Sequence, residues 1–293
     1  MHKYLRAIGF SSITKRKDYE SLIRVCANEA DNRAYTSNGD DTMLAVFSKD
    51  FAPGMGISIC GEYDENNHFS YDYSFPYLNG NGISSYADLT IERHADKISF
   101  AGVCDDINVG VTLIFYLQNM IPYLRSLNSD RLPLKGTSLT LSALSTSGTI
   151  MMPLEKNEKQ KQRATKATKS RNQLLEAARN GEVEAIESLT LEDMDTYTTI
   201  SKRIHKEDIF TLVDTYFMPY GVECDQYSIL GEITECELVM NQMTKEEIYK
   251  MSILCNGITF DLCINKADLY GEPAVGRRFK GYIWLQGFIN YPE

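Results

Sequence analysis

Apolar and polar residues alternate over much of the first half of the chain, which is typical of short antiparallel strands. Before these strands, residues 15–30 place Tyr19, Leu22, Ile23 and Cys26 at helical spacing and predict a first helix. The predicted strands are 43–47, 56–63, 68–77, 83–93, 97–104, 110–119 and 137–142. Turn residues separate the first three, so we expect a β-meander there.

The pattern changes after Pro153, because residues 155–171 contain seven Lys or Arg and almost no apolar side chain. Capping patterns predict helices that begin at Ser170 and Thr190, and a third amphipathic helix is expected at 206–217. Strands return at 229–240, 248–255, 258–264 and 281–289. The sequence therefore predicts an α+β fold with a strand-rich half (1–153), a charged helical connector (154–196) and a C-terminal α+β half (197–293).

Short anchors recur in the same order in the two halves, which suggests an internal duplication as a further hypothesis. Val103-Cys104 followed by Gly110-Val-Thr112 resembles Leu254-Cys255 followed by Gly257-Ile-Thr259. A basic Lys-Gly pair, at Lys135 and again at Lys280, precedes a strand in each half. A duplication predicts that residues 97–144 superpose on residues 248–289.

Composition and charge narrow the classes of function. The chain is 43% hydrophobic with a net charge of −10, so we expect a folded protein without a general affinity for nucleic acid or anionic membranes. No apolar run is long enough to span a bilayer, and the first ten residues lack a signal-peptide core, so a cytoplasmic location is expected. The seven cysteines form no Cys-x-x-Cys pair, which favours reduced structural thiols without a metal or cofactor.

One predicted strand carries five aromatic residues at alternate positions, from Phe69 through Tyr71, Tyr73 and Phe75 to Tyr77. A period of two places all five rings on one face of a sheet. Tyr71 and Tyr73 are therefore candidate ligand-binding residues, since aromatic rings stack on sugars and nucleobases. The alternative is that this face covers the core.

A basic loop near the C-terminus is the second candidate surface. Arg277, Arg278 and Lys280 follow two flexible glycines, and guanidinium groups in such a setting suit a phosphate or carboxylate. Arg131 and Lys135 occupy the corresponding place in the first half. Structural ion pairs with neighbouring acids are the alternative interpretation.

Motifs for catalysis are missing from the sequence: it has no metalloprotease, nucleophile-elbow or phosphate-loop pattern. The catalytic candidates are Cys104, Asp105 and Asp106, with His94 nearby in sequence as a base. A buried cysteine beside turn-forming aspartates explains the same residues without catalysis.

Three segments together resemble a known family: Met1–Phe10, Asp214–Tyr227 and Gly276–Gly287. The chain is similar along its length to an uncharacterised family of anaerobic Gram-positive bacteria, a domain of unknown function. The resemblance implies a cytosolic bacterial protein and supplies no activity or site residue.

The leading hypothesis is a non-enzymatic binding or regulatory protein that recognises a small anionic ligand or a partner protein. One alternative is a small hydrolase or transferase with a cleft between the halves. The other is a structural protein that forms a homodimer.

Overall fold

The structure is a computed structural model that describes residues 2–37, 42–94, 98–106, 109, 111–128, 136–154, 170–171, 173–178, 180–203 and 213–292. Its helices are a 3-10 helix at Lys3–Ile8, α1 (Arg16–Asn28), α2 (Met120–Asn128), α3 (Val183–Arg203) and a second 3-10 helix at Lys266–Asp268; residues 170–171 and 173–178 are also helical. The strands are β1 (Asn32–Ser37), β2 (Met43–Ala52), β3 (Met55–Tyr63), β4 (Phe69–Leu78), β5 (Leu89–Arg93), β6 (Phe100–Cys104), β7 (Leu113–Leu117), β8 (Ser138–Met151), β9 (Tyr216–Pro219), β10 (Gln226–Met240), β11 (Glu247–Cys255), β12 (Ile258–Asn265), β13 (Leu269–Tyr270) and β14 (Arg278–Asn290).

Five strands close into a barrel in the order β8-β12-β11-β10-β14 and back to β8. The β8–β12 pair is parallel and the other four pairs are antiparallel. Buried aliphatic and aromatic side chains from all five strands, among them Leu141, Ile229, Ile253, Leu262 and Phe279, belong to the hydrophobic core. Closure pairs the backbone N–H and C=O groups that edge strands would otherwise leave exposed.

The barrel extends into a wider sheet through β14, which pairs in parallel with β7 at Gln286–Gly287. Strands β6 and β5 continue this extension as antiparallel neighbours. The start of α2 follows directly on β7 and therefore lies beside the end of β14.

A separate four-stranded antiparallel meander is formed by β1-β2-β3-β4. Helix α1 packs on one face of this sheet, where Leu22 and Cys26 are buried and the Tyr19 hydroxyl hydrogen-bonds to Ser74. The other face of the sheet lies opposite the barrel and α2. The expected helix at 15–30 and the expected meander are both confirmed.

The prediction of two α+β halves joined by a helical connector is wrong. The protein is mostly β, and its barrel combines β8 from the first part of the chain with four strands that follow α3. Sequence patterns missed this arrangement because strand pairing over such distances leaves no local signal. The predicted domain boundary at 196/197 falls inside α3, and most of the basic stretch 155–171 lies outside the described residues.

The proposed duplication gains no support from the two hairpins it compares. Strands β11 and β12 are joined by the two-residue turn Asn256-Gly257, and both residues have positive φ angles, as tight hairpin turns require. Strands β6 and β7 are separated by residues 105–112, and α2 follows them where β13 follows β12. Similar dipeptides therefore occupy different structural settings.

Two helix predictions also fail in detail. Thr190 lies inside α3 rather than at its start, and its hydroxyl donates to the Ile186 carbonyl one turn earlier. Phe217, the expected end of the 206–217 helix, belongs to β9, while residues 204–212 lie outside the described part of the chain. Strand β1 and helix α2 were not predicted.

Candidate functional site

An open cleft of about 630 Å³ separates the inner face of the meander from the barrel and α2. Its floor is a row of residues that are paired in register across the four strands: Asn32 with Ser48, Ser48 with Ser58, and Ser58 with Phe75. Directly paired residues point to the same side of a sheet, so all four face the cleft. The Ser48 and Ser58 hydroxyl oxygens lie 2.8 Å apart in a hydrogen bond.

The next row of the floor consists of Asp50, Gly56 and Tyr77. The Tyr77 hydroxyl donates to the Asp50 carboxylate across Gly56. A Cβ atom at Gly56 would lie 2.7 Å from that hydroxyl oxygen and 2.0 Å from the Lys49 carbonyl oxygen. Only glycine therefore leaves room for the hydrogen bond between Tyr77 and Asp50. Burial, followed by the hydrogen bond to Asp50, raises the pKa of Tyr77, which keeps the hydroxyl protonated as a donor.

The opposite wall is fixed by side-chain amides at the junction of β7 and α2. Asn119 donates from Nδ2 to the Ile289 carbonyl (2.9 Å) and accepts from the Ile289 N–H (3.0 Å), so it continues the β7–β14 pairing after β7 has ended. Gln118 donates from Nε2 to the Leu78 carbonyl (2.9 Å) and to Gln286 Oε1 (2.7 Å). These bonds hold the wall in place against both the barrel and the meander.

The remaining wall is formed by the paired residues Thr140 and Phe288, with Asn290 beyond them. Asn290 donates from Nδ2 to Thr140 Oγ1 at 2.9 Å. Phe288 is 41% exposed, which is high for a phenylalanine in a sheet. The cleft therefore offers an exposed aromatic ring beside uncharged polar groups.

The charge of the cleft is negative. Asp31 and Asp50 are exposed at its rim, and the described residues that line it include no Lys, Arg or His. The two acids are linked, since the Asp50 backbone N–H donates to Asp31 Oδ2 at 2.8 Å. The arrangement can accept hydrogen bonds from a ligand and disfavours an anion.

The aromatic residues of β4 do not share one face. Cys60 pairs with Tyr73 and Gly61 pairs with Tyr71, so a β-bulge at Asp72 places the two tyrosines on opposite faces. Tyr73 is buried and donates to the Ile98 carbonyl at 2.8 Å, whereas Tyr71 is 45% exposed beside Ser74. The expectation of five rings on one face is wrong, and neither Tyr71 nor Tyr73 lines the cleft.

Of the catalytic candidates, Cys104 and Asp106 are linked through Ser85, whereas His94 is not brought to them. Cys104 is buried within 3.7 Å of Ser85 Oγ, which donates to Asp106 Oδ2 at 2.5 Å, and burial raises the pKa of the Cys104 thiol. Asp105 accepts from the Thr112 hydroxyl at 2.5 Å.

His94 contacts Ser99 instead, through Nδ1 at 2.9 Å from Ser99 Oγ. Cys104 pairs with Leu89 and Phe100 pairs with Arg93, so Cys104 and His94 lie at opposite ends of the β5–β6 hairpin. Four residues of strand separate these ends by about 13 Å.

The basic loop is engaged with the protein itself. The Arg278 side chain is buried and donates to the carbonyls of Met152 (3.1 Å) and Val213 (3.0 Å), and burial lowers its pKa. Arg277 donates from Nη1 to the Glu272 carbonyl at 2.6 Å, and Lys280 is half-buried on β14. Arg131 and Lys135 lie outside the described residues. A binding role for these five side chains stays a prediction.

Sequence reasoning missed the polar residues of the cleft. The available signal was the continuation of polar side chains on alternate positions, Ser48 and Asp50, beyond the predicted strand 43–47. Asn32 gave no signal because it lies outside the predicted elements, and Gln118-Asn119 formed the end of the predicted strand 110–119.

The described residues contain no group of three or more His, Cys, Asp or Glu side chains placed to hold a metal ion. None of the helices in the same part of the chain combines the length and apolar character needed to cross a bilayer.

The fold and the cleft define a mostly-β protein in which a closed five-stranded barrel and a four-stranded meander enclose an open polar site. The chain belongs to the family described as "Domain of unknown function, E. rectale Gene description (DUF3881)", whose model matches residues 5–287. This match confirms the family resemblance inferred from the sequence. Neither the curated proteins nor the solved structures include a match to this chain.

Proposed function

We propose that this protein binds a small molecule in the cleft between the meander and the barrel. The observation that carries the proposal is the floor formed by Asn32, Ser48 and Ser58. A sheet face that packs against a second layer normally presents large apolar side chains, and small polar side chains leave space there instead. The resulting volume of about 630 Å³ falls within the range of roughly 300–1,000 Å³ typical of small-molecule sites.

The rigidity of the walls supports the same proposal. Asn119 and Gln118 are each held by two hydrogen bonds or more, so the cleft does not depend on the binding of a ligand to form. A preformed site loses less conformational entropy when its ligand binds.

The anionic ligand expected from the basic loop is less well supported than a cleft ligand. Arg278 is buried against backbone carbonyls, and Arg277 already donates to Glu272. The hydrolase or transferase alternative uses Cys104 or an Asp/His pair, and the separation of Cys104 from His94 gives the version based on Cys104 no support. A protein partner, a regulatory role and a homodimer stay predictions.

A blocking substitution tests the proposal. Ser48→Trp places a large side chain in the cleft, and Ala34→Trp does so from the neighbouring strand, in case the first variant fails to fold. Ser70→Trp, at an exposed position of β4 that does not line the cleft, is the matched control. Circular dichroism shows whether each variant keeps the native fold.

The probes cover three charge classes: glucose, galactose and mannose as neutral sugars, putrescine as a cation, and inorganic phosphate as an anion. Saturation-transfer NMR measures binding. We expect at least one class to bind the wild-type protein and Ser70→Trp, and to lose binding in the folded cleft variants. If no class binds, or if binding persists in those variants, the proposal is wrong.

A further inference from the structure

We infer that the ligand of the cleft is a neutral polyhydroxylated ring of the pyranose type. This inference rests on the proposed function and adds the chemical class of the ligand. Its basis is the combination of charge, uncharged hydrogen-bonding groups and an exposed aromatic ring within one cleft.

The charge disfavours one class of ligand. Asp31 and Asp50 lie at the rim, and no cationic side chain lines the cleft within the described residues. A phosphate or carboxylate ligand would meet these two like charges without a counter-charge from the described lining, which is unfavourable.

The uncharged polar groups favour a ligand that both donates and accepts hydrogen bonds. The side-chain amides of Asn32 and Asn79 line the cleft and form no hydrogen bond with another described residue. Each amide provides two N–H donors and one carbonyl acceptor. A sugar hydroxyl can accept from such an N–H and donate to a neighbouring carboxylate, whereas an ammonium group only donates.

Both carboxylates already accept hydrogen bonds from the protein, which favours a neutral ligand over a cation. Asp50 accepts from the Tyr77 hydroxyl, and Asp31 accepts from the Asp50 backbone N–H. These bonds disperse the negative charge and orient the remaining lone pairs. Oriented acceptors are suited to the directional hydrogen bonds of hydroxyl groups.

The exposed ring of Phe288 supplies the apolar contact. A pyranose has a face of C–H groups that packs on an aromatic ring, and Phe288, which is paired with Thr140, is 41% exposed on the cleft wall. Burying this C–H face against the ring removes apolar surface from water, which favours binding.

Two substitutions test the inference. Phe288→Ala removes the stacking ring, and Tyr282→Ala is its matched control, since Tyr282 is 44% exposed on the same strand and does not line the cleft. Asp50→Asn keeps an acceptor for Tyr77 and removes the charge. Dissociation constants for glucose, galactose, mannose and putrescine are measured by NMR titration at low and high salt.

We expect at least one pyranose to bind, with an affinity that Phe288→Ala weakens by roughly tenfold and Tyr282→Ala leaves unchanged. The affinity should be insensitive to salt, because the ligand is neutral. Asp50→Asn should weaken it only by a few-fold, since an uncharged acceptor remains.

Two results would overturn the inference while the proposed function survives. One is binding of putrescine or phosphate, but of no pyranose, that is lost in Ser48→Trp and weakened by salt. The other is pyranose binding that is lost in Ser48→Trp but unaffected by Phe288→Ala. If no probe binds at all, the inference and the proposed function both fail.

Discussion

The side chain of Gln286 connects the barrel to the meander, and its replacement by leucine tests whether that junction holds the two sheets together. Gln286 is fully buried. Its Oε1 accepts from the Leu78 N–H (3.3 Å) and from Gln118 Nε2 (2.7 Å), and its Nε2 donates to the Pro76 carbonyl at 2.8 Å. Leucine has a similar volume and makes none of these bonds.

The expected loss of stability follows from these three hydrogen bonds. Gln118 keeps its bond to the Leu78 carbonyl, so the loss of its bond to Gln286 costs only about 1 kcal/mol. The Pro76 carbonyl and the Leu78 N–H are left buried without a partner, at a cost of about 1–3 kcal/mol each. We therefore expect Gln286→Leu to lower the free energy of unfolding by about 3–7 kcal/mol.

Urea denaturation followed by circular dichroism measures this difference. Gln242→Leu is the matched control, because Gln242 is exposed and its side chain forms no hydrogen bond with the described residues; its effect should be under about 0.5 kcal/mol. If Gln286→Leu is as stable as the control, the amide network does not hold the meander on the barrel and the reasoning about the cleft wall fails with it.

Three further predictions concern a buried amide, a buried carboxyl group and an exposed thiol. Asn241→Ala removes a buried amide that donates to the Ile8 carbonyl and accepts two N–H groups of its own turn, and should cost about 2–3 kcal/mol in urea denaturation; less than about 0.5 kcal/mol would contradict this. Burial raises the pKa of Asp225 although Trp284 donates to it, so its ionised form disfavours folding; Asp225→Asn should be more stable than the wild type at neutral pH, and the difference should disappear below the ordinary aspartate pKa. Cys224 is the exposed cysteine, so Ellman's reagent should show one fast thiol, and a fast phase that persists in Cys224→Ser would refute the assignment.

The sign of the Asp225 effect follows from linkage. A carboxyl group whose folded pKa lies above its unfolded pKa binds more protons in the folded state, so it stabilises the fold most at acid pH and least once the pH exceeds the folded pKa. The asparagine variant has no such dependence. Wild-type stability that rose relative to Asp225→Asn between acid and neutral pH would show that the carboxylate is stabilised rather than penalised by its surroundings.

Local elements were predictable where periodicity or turn residues mark them. The spacing of Tyr19, Leu22 and Cys26 predicted α1, because one face of that helix is buried, and the turn residues that separate β2, β3 and β4 predicted the meander. Helix α2 was missed because its third residue is Pro122, which sequence reasoning treats as a helix breaker although the first turn tolerates it.

The barrel was beyond the reach of pattern reasoning for a different reason. Strand β8 pairs with β12 and with β14, and both partners are separated from it by more than a hundred residues of sequence. Alternation specifies which side of a strand is buried, but not which strand lies beside it. The short anchors shared by the two halves were therefore interpreted as a repeat, when β6–β7 and β11–β12 form hairpins with different connections.

The candidate site shows how one irregularity can redirect a functional hypothesis. Without the bulge at Asp72, Tyr71 would lie on the same face as Tyr73, Phe75 and Tyr77, and the aromatic strand would be the platform that its sequence suggests. The bulge leaves Phe75 and Tyr77 on the cleft side, where they flank small polar residues contributed by other strands. Site chemistry then depends on Ser48, Ser58 and Asp50, whose side chains are unremarkable in sequence and become informative only when register places them in rows. A search for binding sites in relatives of this chain should therefore compare residues across paired strands rather than along any one of them.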